Sequence, residues 1–402
     1  TEAGVLLTGA TGSLGAWVLD TLVQRPVDRV KTVFVLVRGS ADKAVERVRE
    51  SLRLRHCNVA AFDAALDADR VVVLNNYDTN DAKFGQTTEV YKRLEQEVSV
   101  IMHVAWSVGF NKPVQAYADQ MFNVAQFARL ATVPAIHSSS QPKRVVFTSS
   151  ISVAMAYPAV SGSYNVPEDE LDIQAASAVA GYSRSKFASE NILMEAYRQL
   201  GVPAKVVRVG QIAGDREHGV WTNATEMNAM LTYAPTSVHS LPSSGVTKII
   251  DWVPVDDVAK ALLEFALDTP RTASVYNLVN PKSINWSEFV DILRRALPTT
   301  KFEVQPYSKW VEGLSKDLDS GESEEVIKKR NPFFELIPFL QQSVGDDSAE
   351  ADDNALMFMT DAAQRDSSVI RNLPAIDDAL VRKYLRGWQR AGLIDSQIEI
   401  AE

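Results

Sequence analysis

Gly4-Val5-Leu6-Leu7-Thr8-Gly9-Ala10-Thr11-Gly12-Ser13-Leu14-Gly15 decides how the rest of the chain is read. Residues 4–7 are a short apolar run of strand length. From Ser13 onward, Leu14, Trp17, Val18, Leu22 and Val23 recur at helical spacing. Glycines at 9, 12 and 15 join the two. The first allows a tight turn at the strand end. The second lets backbone come close to a pyrophosphate, and the third lets the helix pack on the sheet. Thr11, Gly12, Ser13 and Leu14 then present the free N–H groups and positive end of the helix to phosphate, with Ser13 as the expected N-cap. The spacing is Gly-x-x-Gly-x-x-Gly, wider by one residue than the usual dinucleotide fingerprint. A strand before it and a helix after it favour dinucleotide binding over an ordinary glycine-rich turn.

A second apolar run, Lys31–Val37, ends in Arg38. NAD-binding units place an acid here for the ribose 2′-OH, and NADP-binding units place a cation for the 2′-phosphate. No acid stands at this strand end, so Arg38 points to NADPH. Arg47, in a helix expected from Asp42 to Arg55, is a second candidate cation. Val71–Leu74 reads as a third strand whose exit offers Asp78 to the adenine. Val98–Val104 reads as a fourth, leading into Ala105 and Trp106, which with Val104 are expected beneath the cofactor. A long helix is expected over Lys112–Thr132, and a fifth strand over Arg144–Phe147, ending in Thr148-Ser149-Ser150. Continuous apolar strands alternating with helices predict an α/β fold of Rossmann type, a doubly wound parallel sheet covered on both faces.

Gly181-Tyr182-Ser183-Arg184-Ser185-Lys186 opens a helix expected to run to Leu200. Tyr182 and Lys186 are four apart and share one helical face. An ammonium near a phenol stabilises phenolate and is expected to lower the Tyr pKa from about 10. Tyr182 is then a candidate acid, and Lys186 can also donate to a nicotinamide ribose. Ser149 or Ser150 can donate to a substrate oxygen. Tyr-x-x-x-Lys alone is common on solvated helices; after a glycine fingerprint and a hydroxyl-ended fifth strand it becomes specific.

The 402 residues are 46% hydrophobic and 23% charged, with a net charge of −10. That acidity argues against non-specific binding to nucleic acid or anionic membrane. One cysteine, Cys57, excludes an internal disulfide and fits a reducing, cytoplasmic setting. The five histidines show no metal-ligand spacing, and no metal is expected. No stretch is long and apolar enough to span a bilayer. The sequence starts without Met and enters a strand within four residues, which suggests a piece of a longer polypeptide.

Together TGATGSLG, VLVR, TSS, YSRSK and the later WVPVDD (252–257) resemble the extended short-chain dehydrogenase/reductase superfamily. More closely, the chain resembles the terminal thioester reductase domains of non-ribosomal peptide synthetases, fungal polyketide synthases and carboxylic acid reductases. The resemblance rests on residues 6–19, 33–39, 47–55, 101–111, 206–215, 252–262 and 357–394, which together reach along nearly the whole chain. The stretches AWSVGFN and RVGQIAGD are similar to fungal members. It implies a triad of Ser150, Tyr182 and Lys186; Ser150 is preferred over Ser149 because the family residue stands three before the Val that is Val153 here. It also implies NADPH as cofactor, with Val209 among its contacts. The implied substrate is an acyl thioester on the phosphopantetheine arm of an upstream carrier domain. The product is an aldehyde, or an alcohol after a second hydride. Where the family has Gly-Asp-Leu after the third strand, this chain reads Tyr77-Asp78-Thr79.

Beyond Gly210 the pattern is irregular. Residues 211–250 carry Trp221, Met227, Met230 and Tyr233, which read equally as a lid with a satellite core or as pocket lining. Trp252–Leu267 returns to the α/β body, with Asp256 as expected N-cap, and Ser274–Val279 reads as a strand. Helices are expected over 286–297, 307–314, 322–329 and 376–391, and acidic solvated loops over 317–325 and 345–354. The expected division is a nucleotide-binding part, 1–210 with 251–280 returning to it, and a smaller, mainly helical substrate-facing part, 211–250 and 281–402. A monomer is expected for a domain tethered in a megasynthase. Two other readings stay open on sequence: a free-standing extended reductase or epimerase acting on a small carbonyl or sugar, and a non-catalytic NADP sensor.

Overall fold

The computed structural model describes residues 3–109, 112–136, 141–173, 180–221, 234–243, 248–316, 321–331, 333–334, 337–342 and 355–402. The chain divides into two units. Unit 1 is 1–212, 253–281 and 356–373; unit 2 is 213–252, 282–355 and 374–402.

In unit 1, β1 (Ala3–Thr8) is buried along its whole length and pairs in parallel with β2 (Val30–Leu36) and β4 (Val100–His103). β3 (Val71–Leu74), β5 (Arg144–Ser150), β6 (Ala204–Val209) and β7 (Ser274–Leu278) complete a seven-stranded sheet of order β7-β6-β5-β4-β1-β2-β3. Every pairing is parallel. Side chains alternate across the sheet, so Val5 and Leu7 enter one core while Leu6 enters the other. The first core is shared with α1 (Ser13–Val23), α2 (Ala41–Arg53), α3 (Val59–Asp67) and α7 (Val255–Leu267). The second is shared with α4 (Thr88–Glu97), α5 (Ala118–Thr132) and α6 (Gly181–Leu200). The strand order reverses between β1 and β4, which opens a crevice at their C-terminal ends.

Several expectations shift. β5 runs on through Thr148-Ser149-Ser150. The helix expected from Lys112 starts at Ala118, behind Pro113 and a single 3₁₀ turn over Val114–Tyr117. Gly12, not Ser13, is the N-cap of α1, and Pro254, not Asp256, is that of α7. Asp256 and Asp257 sit in the first turn of α7, where negative charge complements the helix dipole. β6 escaped the sequence reading because two cations interrupt its apolar run. Both are buried with partners: Lys205 Nζ donates to Ser274 Oγ at 3.0 Å, and Arg208 to Glu190.

Residues 356–373 group with unit 1, although the sequence reading gave 281–402 to the other part. Met357–Phe358 pairs in parallel with Asn165–Val166, and Tyr276 Oη donates to Asp366 at 2.8 Å. Glu168 clamps the segment. Its Oε1 accepts from the backbone N–H of Asn277 at 3.1 Å and of Ala363 at 2.9 Å, and its Oε2 from Ala362 at 2.5 Å.

Unit 2 is built on aromatics. Five of the seven tryptophans (221, 252, 286, 310 and 388) lie in its core. α8 (Trp286–Ala296), α9 (Tyr307–Ser315) and α10 (Asp378–Arg390) supply most of the rest. Trp221 stacks on Trp388 at 5.1 Å and meets Trp252 edge-on at 5.3 Å, so within this unit it is a core residue. Met227, Met230 and Tyr233 lie outside the described residues, as do 317–320 and 345–354 of the two acidic stretches. Among the described residues no helix is long and apolar enough to cross a membrane.

Burial pushes the Glu168 carboxyl up to about 7, against the three N–H groups that favour its charge. A folded-state value above the ordinary one means the fold favours the protonated acid. Its stabilising contribution is therefore complete in acid and is lost as pH rises from about 4.3 towards 7. Glu168→Gln, which keeps the uncharged shape, is expected to flatten the dependence of Tm on pH over about 5–8. Parallel wild-type and variant melting curves across that range would contradict it.

Candidate active site

The glycine turn is set by backbone contact. Gly9 adopts φ +87°, a conformation costly for residues with a Cβ. A Cβ on Gly15 would lie 2.0 Å from the Gly9 carbonyl oxygen, so only glycine lets α1 start this close to β1. A Cβ on Gly12 would meet nothing nearer than that oxygen, at 3.2 Å, and otherwise faces open space. No side chain caps α1 at Gly12. This is a cradle suited to a pyrophosphate: a helix start without a side-chain cap, a dipole, and room where a side chain would stand.

A cavity of about 650 Å³ opens there. Gly9, Thr11, Gly12, Ser13, Leu14 and Gly15 line it from the turn after β1, and Arg38 from the end of β2. Val104, Ala105 and Trp106 line it after β4, Ser149 and Ser150 from β5, Tyr182 and Lys186 from α6, and Val209 from β6. The crevice thus gathers these sequence-named residues from the C-terminal ends of five strands and the start of α6. A larger groove of about 1140 Å³ between α5 and α6 has mostly apolar walls, with Arg129, Arg184, Asn191 and Glu195 among its lining, and none of the sequence-named site residues lines it.

Two expected contacts fall elsewhere. Asp78 is exposed and folds onto its own loop, its carboxylate accepting from the Asn80 N–H at 2.9 Å; its neighbours Tyr77 and Thr79 line the cavity instead. Arg47 does not line it either. Its guanidinium donates to the Arg38 carbonyl, so it braces the loop that carries Arg38.

Thr8, unremarked in the sequence, organises the floor. Its hydroxyl oxygen accepts from the N–H groups of Val104 and Ala105 at 3.1 and 3.0 Å. With its lone pairs used, its proton goes to His103 Nδ1 at 2.8 Å. His103 is therefore the Nε2–H tautomer. Burial, and then the Lys186 charge, push its pKa down to about 3 and keep it neutral.

At the other wall, Gly181 lets α6 start against residues 112–114; a Cβ there would lie 2.2 Å from the Lys112 carbonyl oxygen. This brings Tyr182 to the end of β5, where Ser150 hydrogen-bonds its hydroxyl. Burial pushes Tyr182 up to about 12, and the Ser150 bond opposes this only in part. The expected acidification by Lys186 is not met. The Lys186 ammonium donates to the Thr148 carbonyl at 2.6 Å and lies over the Trp106 ring, 4.1 Å from its centroid. It is buried, and burial pulls its pKa well below the ordinary lysine value, with Glu190 opposing. Ser149 is drawn away from the reacting face, donating to Glu190. Among the described residues, no group of three His, Cys, Asp or Glu is placed to hold a metal.

A parallel sheet with a glycine cradle at its switch point and a Tyr/Lys pair beside it defines a dinucleotide-dependent oxidoreductase of the extended short-chain type. The chain belongs to the family described as "Male sterility protein", which matches residues 7–262, and it is an NAD(P)-dependent enzyme of that kind. Clavatol synthase claF of Penicillium crustosum is 31% identical over 394 residues, covering 97% of this chain and 14% of that protein. An adenylate-forming reductase of Aspergillus terreus is 27% identical over 402 residues, 99% of this chain and 36% of its own length. The chain thus spans only a minor part of these curated relatives. Among solved structures, the terminal R domain of the myxalamid PKS-NRPS pathway superposes with a TM-score of 0.77 at 22% identity, over 98% of this chain and 92% of that one. A thiolation-reductase di-domain of an archaeal non-ribosomal peptide synthetase gives 0.74 at 17%, over 98% and 76%. At these identities the structural likeness shows the fold.

The two helix-side glycines separate folding from binding. Gly15→Ala is expected to lower Tm because its methyl meets backbone. Gly12→Ala is expected to lower Tm much less than Gly15→Ala yet to weaken nicotinamide-cofactor binding on the order of tenfold, about 1.4 kcal/mol. Calorimetric melting and fluorescence titration read the two effects; equal behaviour of both variants would refute the cradle.

Proposed function

We propose that the chain releases an acyl group reductively from the phosphopantetheine thioester of a carrier domain in the same polypeptide, with NADPH as reductant and an aldehyde as first product. The observation that carries the reading is Tyr182, hydrogen-bonded to Ser150 with Lys186 one turn away, in the cavity that the glycine cradle and Arg38 also line. Relatives named as polyketide synthases and adenylate-forming reductases support the thioester as substrate.

Thr11 to Gly15 would hold the pyrophosphate, with Gly9 making the turn, and Arg38 the 2′-phosphate; Arg47 holds Arg38 in place. When bound, the reduced nicotinamide supplies the hydride. Ser150 and Tyr182 donate hydrogen bonds to the thioester carbonyl oxygen as negative charge develops on it. A phenol near 12 keeps its proton at neutral pH, and Tyr182 transfers that proton to the oxyanion. The resulting hemithioacetal loses the pantetheine thiol to leave the aldehyde. Lys186 would hydrogen-bond the nicotinamide ribose, and its ammonium form would balance the nascent tyrosinate. A second hydride to the aldehyde would give an alcohol. A cytoplasmic setting and a monomeric state belong to the same proposal.

The test is NADPH oxidation on a panel of acyl-pantetheine thioesters, with trapped products. Thioester-dependent turnover is expected, and Tyr182→Phe is expected to lower kcat by about 10²–10⁴-fold. Arg38→Ala is expected to raise KM for NADPH about tenfold or more, with little effect on NADH. Reduction of free aldehydes or ketones but of no thioester would replace the proposal with a free-standing reductase. Tight cofactor binding without turnover on either would replace it with a sensor.

A further inference from the structure

The end of β5 is tied to α6 at three successive residues. The Thr148 carbonyl accepts from Lys186, the Ser149 hydroxyl donates to Glu190, and the Ser150 hydroxyl meets Tyr182. Tyr182, Lys186 and Glu190 follow one another at four-residue steps on one face of the helix. The reaction above uses two of these ties. The third ends in a buried ion pair: Arg208 Nη2 donates to Glu190 Oε2 at 2.8 Å, and its Nε lies 3.2 Å from both carboxylate oxygens. Arg208 is fully buried and Glu190 is 4% exposed. A buried pair is weak evidence for stability, because desolvating two charges offsets their attraction. A carboxylate beneath a reacting centre therefore calls for another account.

We propose that Glu190 is a positioning residue of the active site: held by Arg208 from β6, it fixes Ser149 and through it the Ser150 end of β5, and it faces Lys186 as counter-charge. The proposal rests on the reductase chemistry assigned to Ser150, Tyr182 and Lys186. Strand alternation sends Ser149 to the α6 side, where it serves as the anchor for its neighbour Ser150. A displacement of about 1 Å at such a hydroxyl costs roughly a hundredfold in rate. The groups around the two charges are few. Glu190 faces Ser149 on β5, Arg208 on β6 and Lys186 on its own helix. Lys186 faces the neutral His103, the ring of Trp106, the Thr148 carbonyl, Tyr182 and Glu190. Removing the carboxylate leaves the Arg208 charge unopposed and takes from Lys186 the negative charge that favours its ammonium. The loss of that charge makes the ammonium easier to deprotonate.

Ser149→Ala removes the anchor alone. It is expected to lower kcat about tenfold, with KM for NADPH and the pH profile unchanged. Glu190→Gln is expected to lower kcat roughly ten- to a hundredfold per folded, NADPH-binding molecule and to move the alkaline limb of the kcat profile to lower pH. Melting curves and cofactor fluorescence report folding and binding separately from turnover. If Glu190→Gln does not fold, Glu190→Gln/Arg208→Gln removes both charges together and is expected to show the same kcat loss. Variants that fold, bind NADPH and keep the wild-type kcat and pH profile would reduce Glu190 to a structural role and overturn the proposal. The ratios are taken on whichever carbonyl the wild type reduces. Wild-type failure on thioesters with success on aldehydes thus defeats only the release reading, and the variant ratios still decide the role of Glu190.

Discussion

The approach of α1 to the end of β1 is the constraint on which the site depends. With 2.0 Å between the Gly9 carbonyl oxygen and a hypothetical Gly15 Cβ, the helix can start there only without a side chain. That start fixes where the uncapped N–H groups face and therefore where a phosphate can rest. It also fixes β1 relative to β4, because Thr8 at the strand end holds the N–H groups of Val104 and Ala105. Those residues form the cavity floor, so one turn sets both the anchor for a dinucleotide and the surface beneath it.

Buried cations lock the sheet to its helices from both faces. Lys143, just before β5, donates to the carbonyls of Glu95 at 2.6 Å and Val133 at 2.5 Å, at the ends of α4 and α5. Arg144, the next residue, reaches the opposite layer and donates to the carbonyls of Phe265 at 3.3 Å, Thr269 at 2.6 Å and Ala266, at the end of α7. The last carbonyls of a helix lack intrahelical donors and carry the negative end of its dipole, so they suit a cation. Burial nevertheless pulls Lys143 down to about 8 and Arg144 to about 10. The entry of β5 is thereby pinned to three helices, and its exit is tied to α6. Rigidity at both ends suits a strand that carries a hydroxyl to be aimed within a fraction of an ångström.

What the sequence disclosed follows from how local each signal is. The glycine turn, Tyr182 and Lys186, and the apolar strands are local patterns; residues 71–74 were legible to the residue, and the helix opening at Gly181 was legible with its approximate end. β6 was hidden because Lys205 and Arg208 break its apolar run, and their partners Ser274 and Glu190 come from distant segments. Asp78 had the right residue type for an adenine contact, yet a hydrogen bond two residues away within its own turn claims its carboxylate. Such a competition is settled by local geometry that side-chain identity does not encode. Ser149 and Ser150 are chemically identical; the resemblance favours Ser150, and strand alternation with the position of Glu190 gives the physical difference between them.

The electrostatics of the Tyr182/Lys186 pair show why spacing alone misleads. Four residues apart on a helix, an ammonium and a phenol are neighbours, and in water-like surroundings the charge would acidify the phenol. Here desolvation acts on both groups first. It raises the phenol to about 12 and depresses the ammonium, because neither charged form is welcome in the cavity wall. The groups that favour its charged form are the Thr148 carbonyl, the face of Trp106 and the field of Glu190, none of which lies within the Tyr-x-x-x-Lys motif itself. The motif thus supplies the two reacting groups, whereas Glu190 one turn further along the helix, the end of β5 and the loop after β4 bias their charge. A tyrosine that holds its proton beside a buried lysine is suited to giving that proton up only when an oxyanion forms against it.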